Sequence, residues 1–371
     1  MYQDKTIGAV VVAHNEEGLV GEVIDTLPAF VDRAYVVDDA STDETWAEIQ
    51  EYARRVNDRR GGVCTLTDAA TDYATNDGHA VDGDDHAETS DDNTANADES
   101  PRGIPRGDGG FERPVVPVRH EENQGVGGAI KTGYRHAYED GIDVTVVMAG
   151  DGQMDPEQCH RIVAPVAEGR ADYAKGNRLL ESELREEMST WRLFGNSLLT
   201  VLTKIASGYW KMMDPANGYT AISHAALEEL DIEAVYDDYG AAHDILVRLN
   251  VANMRVADVP LPASYGEEES GIEYSTFVPN LSALLLRGFL WRLHTKYLVR
   301  DCHPFVLFYS LGALGGTIAL VEQLRGLLDS DSSRARSLAG TVLLLVSASL
   351  VTFGMVFDLL DNEDLEFRVD E

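Results

Sequence analysis

The chain is poor in lysine and in cysteine. Six of its 30 basic residues are lysine, and they stand against 64 acidic residues, which gives a formal net charge of −34. Nucleic acids bind basic surfaces, so this charge argues against a nucleic-acid partner. The three cysteines, Cys64, Cys159 and Cys302, lack Cys-x-x-Cys spacing, which argues against a disulfide framework and a zinc site. A reducing, cytosolic environment is therefore expected for the main domain.

The excess of acidic residues also predicts a protein that stays soluble in concentrated salt. At about 1 M salt the screening length falls to about 3 Å, so a surface of like charges repels itself only weakly. We therefore expect a halophilic protein whose unfolding temperature rises between low and multimolar KCl. An unfolding temperature that is the same in both conditions would contradict this interpretation.

Charge is missing from two long stretches near the carboxyl end. Residues 304–321 and 338–357 contain no charged side chain, and each approaches the length of about 20 residues that spans a bilayer. We predict a transmembrane hairpin at residues 303–360, with buried helices of a soluble domain as the alternative. Small residues suited to close packing of two membrane helices recur within it, at Gly312, Gly315, Gly316, Ser347 and Ser349. We expect no signal peptide, because the first residues lead directly into a predicted strand.

A positively charged segment precedes this hairpin. Residues 271–302 combine apolar side chains with Arg287, Arg292, Lys296 and Arg300, which is typical of helices lying in a membrane interface. Because positive charge favours the cytoplasmic side, we expect a multi-pass protein of the cell membrane with a cytoplasmic catalytic domain. Two spans would return the acidic tail at 361–371 to the same side. Arginine in the loop at 325–336 weakens this orientation.

Strand-like and helix-like segments alternate over residues 1–270. The predicted strands cover residues 7–13, 34–37, 115–119 and 144–148, and the predicted helices cover 16–27 and 43–55. This alternation predicts an α/β domain with a mostly parallel sheet and flanking helices.

Residues 67–112 interrupt this domain with an acidic segment. Apolar side chains are sparse there, and there is no lysine or arginine between Arg60 and Arg102. Such a segment buries too little apolar surface to offset its loss of conformational entropy, so we interpret it as a disordered insertion. A docking tail for a basic partner is the alternative.

Acidic residues follow three of the predicted strands. Glu16 and Glu17 follow the first strand, Asp38 and Asp39 the second, and Asp151 the fourth, within the turn 149–152. Ligands of open α/β sheets bind at this carboxyl edge. Asp38 and Asp39 could accept hydrogen bonds from a nucleobase and a ribose, while Asp151 and Gln153 offer the oxygen ligands that Mg²⁺ or Mn²⁺ prefers. Such a metal would neutralise a diphosphate leaving group.

The alternative is that these polar residues are only turn and cap residues. Asp155 and Pro156 fit the cap and first position of the next helix, and Ser41 or Thr42 fit the cap of the second helix. A dinucleotide site at residues 124–128 is excluded, because the Gly-x-Gly-x-x-Gly spacing is missing. Those glycines predict instead a close approach of the backbone, at the start of a helix, to the ligand bound at this edge.

Four ordered motifs resemble the family 2 glycosyltransferases, and among them the dolichyl-phosphate mannose or glucose synthases. The motifs are Val-Val-Ala-His-Asn-Glu-Glu at 11–17, Val-Val-Asp-Asp-Ala-Ser-Thr-Asp at 36–43, Asn-Gln-Gly-Val-Gly-Gly-Ala-Ile-Lys-Thr-Gly-Tyr at 123–134 and Met-Ala-Gly-Asp-Gly-Gln-Met-Asp-Pro at 148–156. The resemblance covers nearly all of residues 5–265 except the insertion. It implies a Rossmann-like GT-A fold, a nucleotide-sugar donor, Mg²⁺ or Mn²⁺ as cofactor, and inversion at the anomeric carbon.

The resemblance also implies roles for particular residues. Members often carry Asp-x-Asp where this chain has Ala149, Gly150 and Asp151, so metal binding must rest on Asp151 and Gln153. The expected catalytic residues are Asp151 as the metal ligand, Arg178 and Arg192 as ligands of the acceptor and donor phosphates, and Asp244 as a base or acceptor-site residue. The residues expected to bind the nucleotide sugar are Ala13, Asn15, Glu16, Asp38, Asp39, Gly125, Lys131 and Gly150. For Arg192 and Asp244, solvated helix positions are the alternatives.

The expected activity is transfer of a single sugar from a nucleotide sugar to polyprenyl (dolichyl) phosphate at the cytoplasmic membrane face. The product would supply protein glycosylation or cell-surface glycans. Because a phosphate monoester is largely ionised at neutral pH, this acceptor needs positioning more than deprotonation. Two alternatives are a transferase acting on a lipid-linked oligosaccharide or polysaccharide, and a non-catalytic scaffold that only binds nucleotide sugar, for which Ala149 is the main argument.

Overall fold

The computed structural model describes residues 1–61, 111, 114–178, 190–262, 274–328 and 334–369. The predicted insertion at 67–112 lies outside the described residues, apart from Phe111.

Eight strands of the described residues form one sheet. The strands are β1 Ile7–Ala13, β2 Arg33–Asp38, β3 Val115–Arg119, β4 Val144–Ala149, β5 Tyr173–Asn177, β6 Thr220–Ser223, β7 Val256–Pro260 and β8 Glu366–Arg368. The α-helices are α1 Val20–Asp25, α2 Thr45–Gly61, α3 Gly125–Glu139, α4 Cys159–Ala167, α5 Thr190–Ser207, α6 His224–Glu229, α7 Ala241–Val251, α8 Tyr274–Arg292, α9 Val306–Leu328 and α10 Arg334–Asp361. A π-helical segment, Leu293–Arg300, continues α8.

The sheet is mostly parallel, as predicted. Its strand order is β3-β2-β1-β4-β6-β5-β7-β8, and β6 alone runs antiparallel to both of its neighbours within the part of the chain described. β1 pairs with β2 and β4 in parallel, so the carboxyl ends of these three strands lie at one edge. The expected α/β architecture of the GT-A type is therefore confirmed.

Helices cover both faces of the sheet because β1 is apolar on both. Val11 packs in a core with Ile49 of α2 and Ile162 of α4, whereas Val10 packs in a second core with Tyr134 of α3 and Ile245 of α7. Alternate residues of a strand point to opposite faces, so a strand buried on both sides reads as an uninterrupted apolar run. Packing on both faces thus fixes the position of β1 and of the residues that follow its carboxyl end.

Helices α9 and α10 form a hairpin. Segments Val306–Gly326 and Ser337–Asp361 are long and apolar enough to cross a membrane, and only 17% of the most apolar stretch of each is buried inside the protein. A Cβ on Gly312 would lie 2.9 Å from the Ser347 carbonyl oxygen, and one on Gly315 would lie 2.5 Å from the Ser347 hydroxyl oxygen. Small residues therefore permit the close approach of the two helices, as the sequence predicted.

The carboxyl-terminal segment differs from the prediction. It was expected to be a separate acidic tail at 361–371, but Glu366–Arg368 form β8, which pairs in parallel with β7. Alternation over three residues is too short a signal to identify a strand from sequence. The chain therefore returns from the hairpin to the sheet.

A buried polar cluster joins α8, α10 and the sheet domain. The guanidinium of Arg292 donates to both carboxylate oxygens of Asp358 at 2.8 Å, and both side chains are fully buried. Arg292 also donates to the carbonyls of Ile205 and Ala206 at the end of α5. These contacts fix the hairpin to the sheet domain through a charged pair that water does not reach.

Lys296 extends this cluster on the π-helical segment. Its ammonium donates to the Asn250 carbonyl at 3.1 Å and to Asn362 Oδ1 at 2.8 Å. Burial lowers the pKa of Lys296 to about 8, since the uncharged amine loses less hydration. Two of the four cations predicted to face a membrane interface, Arg292 and Lys296, therefore point into the protein instead.

Candidate active site

A cavity of about 620 Å³ opens at the carboxyl edge of β1, β2 and β4. Its walls come from the strand ends, the start of α3, and the segments before β6 and α7. Seven residues predicted to form the site line it: Ala13, Glu16, Asp39, Gly125, Asp151, Gln153 and Arg178. Sequence reasoning gave no binding role to others that also line it, which include His14, Asn123, Asp155, Gln158, Asn217, Asp238 and Tyr239.

The turn after β4 carries carboxylates into this cavity. Asp151 Oδ1 accepts the backbone N–H of Gln153 at 2.9 Å, which fixes the carboxylate against its own turn. Asp155 caps the following 3₁₀ turn, because its Oδ1 accepts the Glu157 N–H at 2.8 Å, as the sequence predicted. The turn thus presents Asp151, Gln153 and Asp155 to one space.

Gly150 belongs to the same turn but lies behind the wall. Its N–H donates to the Val12 carbonyl at 2.8 Å, and a Cβ there would lie 3.0 Å from that of Ala13. Gly150 therefore lets β1 and the turn approach each other, which places Asp151 beside the end of β1.

The residues present offer a divalent metal few charged ligands. Within the described ranges, no three His, Cys, Asp or Glu side chains come close enough to hold a metal ion. Asp151 and Gln153 supply oxygen atoms of the type that Mg²⁺ and Mn²⁺ prefer, and a diphosphate would complete the coordination. The site therefore fits a metal that binds together with a phosphorylated ligand.

Asp39 links the end of β2 to the start of α3. Its Oδ1 accepts the Gln124 N–H at 2.8 Å and the His120 Nδ1–H at 2.7 Å, while its carbonyl oxygen accepts the His14 Nδ1–H at 2.7 Å. The residue is buried yet lines the cavity. This carboxylate is thus held in place before any ligand arrives.

Asp38 and Asn15 do not line the cavity. The carboxylate of Asp38 is fully buried, accepts the Ser41 N–H at 3.1 Å and pairs with Arg119 Nε at 3.1 Å. Asn15 Oδ1 accepts the Thr42 N–H at 2.9 Å. Both residues shape the loop after β2, and their proposed contacts with a nucleotide remain predictions.

The glycines of α3 accommodate a segment of the protein itself. A Cβ on Gly125 would lie 2.6 Å from the Asp237 carbonyl oxygen, and one on Gly127 would overlap the Tyr236 carbonyl oxygen. The Gly128 N–H donates to the same Asp237 carbonyl at 2.9 Å. The close backbone approach expected near the donor is therefore made by residues 236–238.

Two further predicted residues hold this segment rather than face the cavity. Lys131 forms an ion pair with Asp237 and donates to the Val235 carbonyl at 3.2 Å. Asp244 is buried, and its Oδ2 accepts the Tyr236 N–H at 3.1 Å and Arg248 Nε at 2.8 Å. Their effect is to place Asp238 and Tyr239 on the cavity wall.

Arg178 enters the cavity at the end of β5, held by Asp214. Its Nε and Nη2 donate to the two carboxylate oxygens at 2.9 and 3.3 Å. Burial alone would raise the pKa of Asp214, but hydrogen bonds and the charges of Arg178 and Lys175 outweigh it, and the pKa lies below its usual value. A bidentate pair of this kind fixes the plane of the guanidinium.

Arg192 is the remaining predicted phosphate ligand. Its backbone lies in the first turns of α5, and its side chain lies outside the described residues.

A cavity at the carboxyl edge of an α/β sheet is a usual place for a ligand, and a fixed guanidinium beside carboxylates suits a phosphorylated one. The chain belongs to glycosyl transferase family 2, whose model matches residues 9–78 and 91–231. All four sequence motifs lie within the matched residues, and the family that they indicated is confirmed.

Known relatives match part of the chain. It is 29% identical over 153 residues to a UDP-N-acetylglucosamine–dolichyl-phosphate N-acetylglucosaminyltransferase of Methanococcus voltae, covering 41% of this chain and 61% of that protein. It is 30% identical over 162 residues to an undecaprenyl-phosphate mannosyltransferase of Micrococcus luteus, covering 43% and 65%. The chain thus spans less than two thirds of either relative.

A solved structure is similar over a larger share of the chain. The glucosyl-3-phosphoglycerate synthase of Mycobacterium tuberculosis, in complex with Mn²⁺, UDP-glucose and phosphoglyceric acid, is 17% identical with a TM-score of 0.46. The match covers 78% of this chain and 80% of that one.

Proposed function

We propose that the protein transfers one sugar, with inversion, from a nucleotide sugar to a polyprenyl phosphate such as dolichyl phosphate. The observation that carries this proposal is that one cavity is lined both by the Asp151 carboxylate and by the Arg178 guanidinium, which Asp214 holds. The carboxylate suits a metal-bound diphosphate, and the guanidinium cation suits a second phosphate. Relatives named for transfer to dolichyl and undecaprenyl phosphate support this choice of acceptor.

The donor diphosphate would lie near the turn after β4. Mg²⁺ or Mn²⁺ held by Asp151 and Gln153 would stabilise the charge that develops on the leaving nucleotide. Asp39 and Glu16 border the same cavity and would accept hydrogen bonds from hydroxyl groups of the donor. Binding of the nucleotide would thus begin at the ends of β1 and β2.

The acceptor phosphate would lie near Arg178, with Arg192 as a second ligand. An ionised phosphate needs no base to remove a proton. The role of Arg178 is therefore to orient an oxygen of the acceptor phosphate toward the anomeric carbon. The bidentate contact with Asp214 fixes the orientation of the guanidinium for this role. Asp244 would act by holding the 236–240 segment and not as a base.

The apolar hairpin would hold this site at the membrane surface. Exposed Leu286, Leu290, Leu298 and Val299 continue the apolar surface of α9 and α10 onto α8 and its π-helical extension. Arg287 is exposed among them and would contact anionic headgroups. Because positively charged segments favour the cytoplasmic side of a membrane, the catalytic domain would be cytoplasmic. Its product would be a lipid-linked sugar for protein glycosylation or cell-surface glycans.

A transfer assay on membranes tests this function. Membranes that contain the full chain are incubated with labelled nucleotide sugars, Mn²⁺ and dolichyl phosphate, and the labelled lipid is extracted. We expect label in a lipid phosphate product, and none when EDTA replaces Mn²⁺. Label in a glycan instead would support an oligosaccharide or polysaccharide acceptor, and donor binding without turnover would support a scaffold.

A further inference from the structure

The loop at residues 208–214 connects α5 to Asp214 and is enclosed by the carboxyl-terminal segment. At its start, Gly208 has φ +81°, and a Cβ there would lie 2.5 Å from Arg292 Nη1. The missing side chain lets the buried guanidinium lie directly against the loop. The beginning of the loop is thus fixed by the Arg292–Asp358 pair.

Glu366 holds the middle of the 208–214 loop. This residue of β8 is 3% exposed, and its two carboxylate oxygens accept the N–H groups of Trp210 at 2.8 Å and Lys211 at 2.7 Å. In return, Lys211 Nζ donates to the Glu363 carbonyl at 3.0 Å, and Arg368 Nη2 donates to the Lys211 carbonyl at 3.2 Å. Hydrogen bonds from backbone N–H groups to a carboxylate are among the stronger hydrogen bonds in proteins.

The far end of the loop reaches the candidate active site. The Met213 carbonyl accepts Lys175 Nζ, and Asp214, at φ +47°, accepts two bonds from the Arg178 guanidinium. Only two residues, Met212 and Met213, separate Lys211 from Asp214, so a shift at Lys211 is transmitted along a short piece of backbone. Glu366 itself is not among the residues that line the cavity.

We propose that Glu366 is a positioning residue of the active site, which holds the 208–214 loop so that Asp214 keeps the Arg178 guanidinium in the cavity. The kinetic side of this inference rests on the proposed function. It assigns a role in the transfer reaction to a strand that follows the apolar hairpin and does not line the cavity.

The test is Glu366→Gln in the full chain in nanodiscs. The glutamine has the same shape, but its NH₂ group faces a backbone N–H, so one of the two hydrogen bonds is lost. We expect hydrogen exchange at amides 210–214 to quicken about tenfold without ligand, and kcat/KM for transfer to fall about tenfold. The matched control is Glu363→Gln, since that exposed side chain is three residues away and should change neither value.

A double variant separates positioning from a general loss of stability. Arg178→Lys keeps the charge but cannot bind Asp214 in bidentate fashion, so adding Glu366→Gln to it should lower kcat/KM by less than twofold further. A full tenfold further loss, unchanged exchange at 210–214, or faster exchange throughout the chain would each overturn the proposal. A wild-type chain that transfers no sugar to lipid phosphate denies the proposed function alone, because the exchange measurement needs no substrate.

Discussion

Replacing Asp151 by asparagine should lower the rate of sugar transfer by a factor of about 100 to 1,000, the usual effect of removing one group that stabilises charge in a transition state. The amide keeps the shape of the turn, and its Oδ1 can still accept the Gln153 N–H. The charge that would bind the metal is lost. The measurement is the initial rate at saturating donor, with Mn²⁺ titrated, and we expect a higher Mn²⁺ requirement as well as a lower maximum.

Asp155 provides the matched control for Asp151. It also lines the cavity, but its carboxylate caps a 3₁₀ turn, and asparagine caps a helix start about as well as aspartate. Asp155→Asn should therefore stay within a few-fold of the wild-type rate. If Asp151→Asn behaves in the same way as Asp155→Asn, the metal assignment is wrong.

Replacing Asp358 by asparagine should lower the free energy of unfolding by about 3 to 5 kcal/mol, because it leaves the Arg292 charge buried without its partner. Both side chains of this pair are fully buried, so no solvent screens the loss. The measurement is chemical denaturation of the full chain in detergent, followed by circular dichroism. We expect the loss to be accompanied by easier proteolysis near α5, whose last carbonyls Arg292 binds.

Two controls bracket the Asp358 result. Arg54 and Asp58 form an ion pair on α2 with both side chains about half exposed, so Asp58→Asn should cost no more than about 0.5 kcal/mol. Arg292→Met combined with Asp358→Leu removes both buried charges and should lose less stability than Asp358→Asn alone. A double variant as unstable as the single one would show that the hydrogen bonds to α5, and not the charge pair, carry the stability.

The sequence predicted the elements whose signal is local. β1 and β3 have the predicted bounds, and β4 is one residue longer, because apolar runs between turn residues identify strands. The first helix was predicted from residue 16 and begins at Val20, because Gly18 has φ +82°, which a right-handed helix cannot include, and its N–H is bound by Glu48 of α2. Contacts from another helix decided that boundary, and these are not visible in a local pattern.

The candidate site divides in the same way. Residues at strand ends, such as Asp39 and Asp151, could be placed because parallel strands share a carboxyl edge. Lys131 and Asp244 face the 233–240 segment because α3 and α7 enclose it, and only tertiary packing decides which face of a helix meets which loop. Asp238 and Tyr239 were missed for that reason.

Glu366 and Arg292 show a further limit. Both are charged residues in stretches that predicted a tail and a membrane interface, yet both are buried against the sheet domain. Glu366 binds Lys211, which lies 155 residues away in the sequence, and Arg292 binds Asp358, which lies 66 residues away. The average composition of a segment indicates the surroundings that such segments usually have, but it does not predict long-range contacts of individual residues.

The pairing of β7 with β8 has a consequence for how this protein is made. The strand Glu366–Arg368 follows both apolar helices in the chain, so β7 keeps an open edge until the hairpin has left the ribosome. An unpaired edge of this kind invites pairing with other chains. If the hairpin enters a bilayer, as we propose, its delivery there would precede closure of the sheet, and delayed delivery would prolong the interval in which nascent chains aggregate.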